Sequence, residues 1–356
     1  MVEGAKIFLT VAGKRIDADD YTAGCKNGIL DLNRKIIVDS TIIVTKRLGV
    51  AFDPAATCPK LMNFLESIFP NDPEKIRFLQ RAVGYTLTGW TKAQCLFLLL
   101  GQGANGKSTL LKIIRALMGE YGTSIPMSVL MASRSGNDRT DELAGLRGYR
   151  FVSAHETEVG QRLSVTKVKL LTGGDPITCQ PRKGAPLSYQ PSFKLWLAMN
   201  DLPEIPPGDE AIWRRVHIIT FLVTISEGER NMNLFEELEP ELPGILNWAL
   251  AGLEEFNRVG LKSPASIVDA TRAYRRDNDT VGQFIDGACM IDPEARTLMK
   301  DLHNVYARWC AVSGLIPLGN VQFGKEMTRL GFDVYSTKSG NGRKGVRLLP
   351  KGNEKD

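Results

Sequence analysis

The apolar run Cys95–Leu100, CLFLLL, passes directly into Gly101–Thr109, GQGANGKST, and this junction limits what the chain can fold into more than any other stretch. The loop fits G-x-x-x-x-G-K-[ST] at every fixed position, with an apolar strand before it and the amphipathic STLLKIIRALMG after it. Glycines let the backbone wrap tightly, so that successive N–H groups and the start of the next helix point at phosphate oxygens. The nucleotide-binding candidates are therefore Gly101, Gly103, Ala104, Asn105, Gly106, Lys107, Ser108 and Thr109. Lys107 supplies a positive charge to the β and γ phosphates, and the Ser108 hydroxyl is placed to bind magnesium. ATP and Mg2+ are the cofactors this predicts.

A strand ending in a phosphate loop needs neighbours, and the sequence supplies them. Short apolar runs alternating with helical patterns continue from Cys95, which is how a parallel sheet covered on both faces is written. The expected strands are Leu96–Leu100, Arg150–Ala154, Lys194–Met199 and Val216–Phe221. Residues 1–85 read as a mainly helical N-terminal domain, with KIIVDSTIIV as short strands before CPKLMNFLESIF and PEKIRFLQRAVGYTL. Residues 86–262 are the ATPase core, and residues 263–356 a helical module closed by a hairpin around Gly340-Asn341-Gly342. Helices followed by such a hairpin predict a winged-helix-like domain whose last helix reads DNA.

Composition excludes several classes. With 43% hydrophobic and 24% charged residues the chain is an ordinary globular one, not a disordered or repetitive one. Its longest apolar run is six residues and no basic-then-apolar leader opens it, so a cytoplasmic location is expected. Six scattered cysteines without a C-x-x-C, and three histidines, argue for reduced thiols and against a zinc site. The net charge of +5 is mild, but Lys325, Arg329, Lys338, Arg343, Lys344, Arg347 and Lys351 face only Glu326 and Asp333 near the C-terminus. Lys325, Arg329, Arg343 and Lys344 are the DNA-binding candidates of that end.

Hydrolysis requires an acid at the end of a neighbouring strand, and RFVSAHETEVG offers Glu156, with Glu158 second. Glu156 would share magnesium with Ser108, while His155 reads as a strand-end packing residue. The strand KLWLAMN ends in Asn200, whose amide could meet the γ phosphate or the attacking water, or could simply start the turn DLPEIPPGDE. In IWRRVHIITF, Arg214 and Arg215 open an apolar strand, and a guanidinium offered across a subunit interface is one way to stabilise phosphoryl-transfer charge.

Taken in order, RAVGYTLTG, GQGANGKST, KLLTGGDPIT, PSFKLWLAMNDLP, DEAIWRRVHIITF and YARWC resemble the superfamily 3 helicase domain of the phage and plasmid primase-helicases, related to the poxvirus replicative helicase-primase. The resemblance covers most of the chain. It implies an AAA+-like ring, a hexamer, that moves along single-stranded DNA at a fork and unwinds duplex, in the cytoplasm of a bacterial host. It further implies a hairpin in the ring channel, here DPITCQPRKGAPLSYQP with Arg182 and Lys183 at its tip and Gln180 where a basic residue is common. For the arginine finger it favours Arg215, followed by Val216 and a strand up to Phe221, with Arg214 second. Primase motifs are not found in these 356 residues, so either a priming domain lies in a longer parent protein or this protein lacks one. Two other classes compete: a DNA-binding AAA+ switch or loader that does not unwind, and a small-molecule kinase, which the basic C-terminal module and the paired arginines disfavour.

Overall fold

The structure, a computed structural model, describes residues 16–38, 43–132, 141–155, 162–181, 185–338 and 340–350. Its first strands, β1 (Thr22–Cys25), β2 (Gly28–Asp31) and β3 (Ile36–Val38), form an antiparallel meander. Two amphipathic helices follow, α1 (Pro59–Ile68) and α2 (Pro73–Leu87), each with proline in its first turn where no N–H is needed. Asp72 caps α2 by accepting from the Lys75 amide and adds an ion pair to the Lys75 ammonium at 3.0 Å.

Next come β4 (Leu96–Leu100), α3 (Lys107–Met118), β5 (Gly122–Pro126), β6 (Phe151–His155), α4 (Val165–Thr172), the short pair β7 (Ile177–Cys179) and β8 (Leu187–Tyr189), β9 (Lys194–Met199) and β10 (Val216–Thr220). Five of these strands make one sheet in the order β10-β4-β9-β6-β5, parallel throughout. A sheet whose central strands read LFLLL and KLWLAM, all but fully buried, has to be covered on both faces, and the flanking helices do that. Strand β5, GTSIP, escapes a search for apolar runs because it lies at the sheet edge, pairs on one side only and buries only its first residue fully. The expected strands over Leu96–Leu100 and Lys194–Met199 are found as read, and those of β6 and β10 within one residue.

Helix α5 (Leu242–Val259) lies against α2, and two glycines set how closely. A Cβ on Gly84 would stand 2.3 Å from the Leu253 nitrogen, and one on Gly252 would stand 2.0 Å from the Gln80 carbonyl oxygen. The N-terminal strands, α1, α2, α3, α5 and the sheet thus share one hydrophobic core, from Ala23 to Ile267. Two buried cations fasten the other rim of the sheet to that core. Arg150 donates to the carbonyls of Leu87 and Thr22 at 2.6 and 2.7 Å, and Lys194 to the Thr88 carbonyl and hydroxyl. Burial holds the Lys194 ammonium well below its ordinary pKa.

The described chain divides into two compact units, one running to Glu204 and including Arg214–Thr271, the other made of Ile205–Trp213 and the residues from Arg272 onward. Helix α6 (Ala265–Asn278) precedes the elements of the second unit: α7 (Thr280–Ala288), β11 (Cys289–Leu298), α8 (Met299–Val312), α9 (Asn320–Arg329), β12 (Val334–Thr337) and β13 (Gly340–Leu348). Its sheet runs β11-β13-β12, antiparallel, with the Thr337 and Gly340 ends of the hairpin paired. Phe284, Tyr306 and Phe323 fill its separate core, the last two stacked at 4.6 Å. Strand β11, CMIDPEARTL, is absent from the sequence reading because its apolar and polar residues do not alternate and a proline interrupts it.

Candidate active site

Register places the C-terminal ends of the parallel strands side by side: Leu100 pairs with Met199 and with Thr220, and His155 with Ala198. The phosphate loop therefore leaves β4 beside the point where Asn200 leaves β9. Lys107 Nζ lies 3.4 Å from Asn200 Oδ1 and also donates to the Gly101 carbonyl, while Gln102 Nε2 donates to the Asn200 carbonyl at 3.3 Å. Gly103 and Gly106 take positive φ, and so does Ala104 at 45°, where an L side chain is strained. Ala104 is held there by its carbonyl, which accepts from the Ile225 amide at 2.7 Å. Gly106 is the N-cap of α3, and a Cβ on it would stand 2.8 Å from Ile68 Cγ2. No other residue leaves room for α1 at this approach.

One atom marks the loop as built for a ligand. Asn105 is 3% exposed, and its Nδ2 has no hydrogen-bond partner within the chain. A buried amide left unpaired costs about 1–3 kcal/mol, so the loop carries a donor without its acceptor. A phosphate oxygen fits that need, together with the N-terminus of a twelve-residue helix and the Lys107 ammonium. Ser108, exposed at the first turn of α3, fits a magnesium-bound water or the ion itself. A cavity of about 540 Å³ adjoins the loop, lined by Asn63, Phe64, Val223, Ile225 and Leu234 with Lys60, Ser67, Glu229 and Glu237 at polar positions. Its size and mixed lining suit a nucleoside.

The acids require a correction of place. Strand β6 is not the neighbour of β4: β9 lies between them, which puts the end of β6 two strand spacings, about 10 Å, from the end of β4. Asn200 is thus the residue adjacent to the loop. Glu156 and Glu158 themselves lie outside the described residues. His155 ends β6 at an exposed position, and desolvation by partial burial lowers its pKa.

The arginine pair sits at the opposite rim. Because β10 runs parallel to β4 with Val216 beside Leu96, Arg214 and Arg215, which immediately precede β10, lie about 17 Å from its phosphate-loop end. They cannot reach their own chain's loop. Arg215 is 5% exposed and donates to Thr172 Oγ1 at 3.1 Å and Gln94 Oε1 at 2.9 Å. Arg214 is exposed and donates to the same Gln94 oxygen at 3.1 Å. Preference for Arg215 as the residue offered outward is therefore reversed by burial: Arg214 is the accessible guanidinium. Gln94, which no motif flags, holds both.

Of the proposed DNA contacts, Arg182 and Lys183 lie outside the described residues, between paired strands in which Cys179 faces Leu187. In the second unit Lys325 and Lys344 are exposed, and Lys300 joins Lys325 along a groove at the start of α9 that also includes Thr328 and Asn341. Arg329 and Arg343 are not available in that way. Arg329 pairs with Asp279 at 2.6 Å and with Glu326, and Arg343, 6% exposed, donates to the carbonyls of Phe332 and Gly324 and so ties the hairpin to α9. Basic residues cluster in sequence here, but half of them serve the unit's own packing.

Among the described residues no helix is long and apolar enough to cross a membrane, and no cluster of metal-ligating side chains occurs. Residues 1–70 match a family described as D5 N terminal like, and residues 99–215, from the end of β4 to Arg215, match a family of unknown function, DUF5906. The chain is 26% identical over 322 residues to "Putative helicase L207/L206" of Acanthamoeba polyphaga mimivirus, covering 83% of this chain and 33% of that protein. It is 22% identical over 326 residues to "Putative primase C962R" of African swine fever virus, covering 83% and 34%. The chain thus spans about a third of the length of these relatives. Its fold is shared with the NrS-1 C-terminal region, at a TM-score of 0.50 and 11% identity over 86% of this chain and 80% of that one. With a D5 N-terminal-like segment and viral relatives named helicase and primase, the chain is similar to the D5-like helicase-primases.

Proposed function

We propose that this chain is the AAA+-like motor of a replicative DNA helicase, which hydrolyses ATP and draws single-stranded DNA through a homo-oligomeric ring, a hexamer as in the family it resembles. The observation that carries the reading is the loop on β4: an orphaned buried amide at Asn105, Lys107 within 3.4 Å of Asn200, and a nucleoside-sized cavity alongside. Magnesium-ATP, when bound, supplies the γ-phosphoryl group whose transfer to water releases the energy. The backbone of Gly101–Thr109 and the α3 N-terminus hold the phosphates, Lys107 neutralises their charge, and Ser108 with Glu156 holds the metal. Asn200 orients the attacking water, and Arg214 reaches the phosphates of an adjacent subunit because it cannot reach its own.

In this reading the loop between β7 and β8 grips the DNA backbone through Arg182 and Lys183, and the C-terminal unit works as a winged-helix-like module that binds duplex through Lys300, Lys325 and Lys344. The motor acts beside a priming activity, at replication forks in the cytoplasm of the host. Strand displacement on forked DNA, with and without ATP, tests it directly. Wild-type chain should separate the strands, Glu156→Gln should bind ATP without turnover, and Arg182→Ala with Lys183→Ala should keep basal turnover but lose unwinding. ATP turnover stimulated by DNA without any strand separation would replace the motor by a DNA-binding switch.

A further inference from the structure

Gln94 stands at a junction that neither the phosphate loop nor the arginine pair explains. It precedes β4, so it is rooted in the strand that carries Gly101–Thr109 at its far end. Its side-chain oxygen accepts from both Arg214 and Arg215, at 3.1 and 2.9 Å, and its amide nitrogen donates to the Gly173 carbonyl at 3.0 Å. Gly173 and Gly174 connect α4 to β7, and Gln190, just past β8, donates to the Gly174 carbonyl at 3.0 Å. Both roots of the β7–β8 pair are therefore fastened at one glycine pair, and that pair is fastened to the arginines. Arg215 adds a parallel link to the end of α4 through Thr172. Gly174 has a φ of 86°, a conformation glycine takes without strain, which suits a pivot at this point.

We propose that Gln94 is a positioning residue that aims Arg214 at the neighbouring subunit and passes its engagement to the root of the β7–β8 hairpin through Gly173-Gly174. This rests on the motor reading above. Two arrangements are open to the junction. With no phosphate in reach, Gln94 Oε1 is shared by two like-charged guanidinium groups; once Arg214 turns to a neighbour's phosphates, that oxygen is left to Arg215, which also donates to Thr172 at the end of α4. An element with two discrete hydrogen-bonded states, biased by a ligand on one side and attached to a hairpin on the other, is what coupling of hydrolysis to DNA movement requires.

The test uses the full chain and two substitutions at one position. Gln94→Ala removes the acceptor and the donor, whereas Gln94→Glu keeps acceptor oxygens for the arginines and loses the donor to Gly173. Turnover with and without single-stranded DNA of mixed sequence is measured for both, beside Arg214→Ala, with affinity for a fluorescent ATP analogue as the check on the loop. Gln94→Ala should lower turnover at least about tenfold with the analogue bound as in wild type, and Gln94→Glu should recover most of that turnover yet lose its stimulation by DNA. Gln190→Leu, on an exposed residue away from the arginines, should also lose stimulation, and it carries the test should Gln94→Glu melt early. Wild-type stimulation in both Gln94→Glu and Gln190→Leu, while Arg214→Ala is inactive, overturns the inference and leaves the motor reading intact. Full turnover in Arg214→Ala would instead overturn the arginine assignment on which it rests.

Discussion

Replacing Arg214 and Arg215 by alanine, one at a time, should separate stability from catalysis. Arg215 is 5% exposed and makes charge-assisted hydrogen bonds to Thr172 and Gln94. Such bonds contribute about 1.5–3 kcal/mol each, but the truncation leaves neither acceptor stranded, since the Thr172 hydroxyl still donates to the Val168 carbonyl and Gln94 keeps Arg214. The expected net loss is about 3 kcal/mol, a fall in melting temperature of about 6 to 10 °C for a unit of this size. Arg214 is exposed and holds Gln94 from the solvent side, so its removal should cost about 0.5 kcal/mol and move the melting temperature by about 2 °C at most. Turnover should show the reverse order. Loss of a guanidinium that stabilises phosphoryl transfer lowers the rate by about 10³-fold or more, and mixing Arg214→Ala with Lys107→Ala chains should restore part of it through interfaces that have an intact loop and an intact arginine. Thermal melting and ATPase assays on the same preparations decide the matter. An Arg214→Ala chain with normal turnover, or mixed rings with no recovery, would refute the assignment in trans, and an Arg215→Ala chain as stable as wild type would refute its structural role.

Three further outcomes follow from the same geometry. Asn105→Ala removes the orphaned amide, so it should weaken ATP binding by about 1–3 kcal/mol, roughly 5- to 150-fold, without lowering the melting temperature of the nucleotide-free chain; Lys107→Ala should abolish turnover. In the second unit, Arg343→Ala should destabilise because it frees the Gly324 and Phe332 carbonyls, whereas Lys325→Ala with Lys344→Ala should leave melting unchanged and weaken duplex binding with a shallower salt dependence. His217, on β10 between Phe78 and Phe97, has its pKa pushed down to about 4 by burial, and its Nδ1 meets Ser263 Oγ at 2.9 Å. The unfolded chain takes up a proton near pH 6.5 that the folded chain refuses, so this contribution is complete above pH 6.5 and lost as pH falls toward 4. Between pH 7 and pH 5 that is about 2 kcal/mol, which His217→Phe should remove from the difference in urea midpoints measured at the two values.

Much of the nucleotide site is legible in the linear order of residues, because its signals are local. A phosphate loop needs glycines at short fixed spacing, and Gly103 and Gly106 do take the positive φ that the spacing implies. Hairpins are nearly as local, but the register pairs Thr337 with Gly340, so Gly340, Asn341 and Gly342 lie inside β13 and not in the turn that the sequence assigns to them. Edge strands are a different case. β5 and β11 are missed because an edge strand has no reason to be apolar throughout, and neither GTSIP nor CMIDPEARTL shows a clean period-2 alternation.

What the sequence by itself determined is the set and order of motifs: an apolar strand, a phosphate-loop pattern with Lys107 and Ser108, an Asn-ended strand and an arginine pair, all recognisable because each is a contiguous word. Tertiary structure alone decided direction and access. Strand order puts Asn200 beside the loop and β6 one strand further away, which no local pattern encodes, since neighbours in a parallel sheet are set by crossovers and not by sequence adjacency. It turned Arg343 inward, tied Arg329 to acids of its own unit, and buried Arg215 while leaving Arg214 in solvent. Two adjacent arginines are identical as words. Only the turn that leads into β10 gives one of them to the core and the other to water.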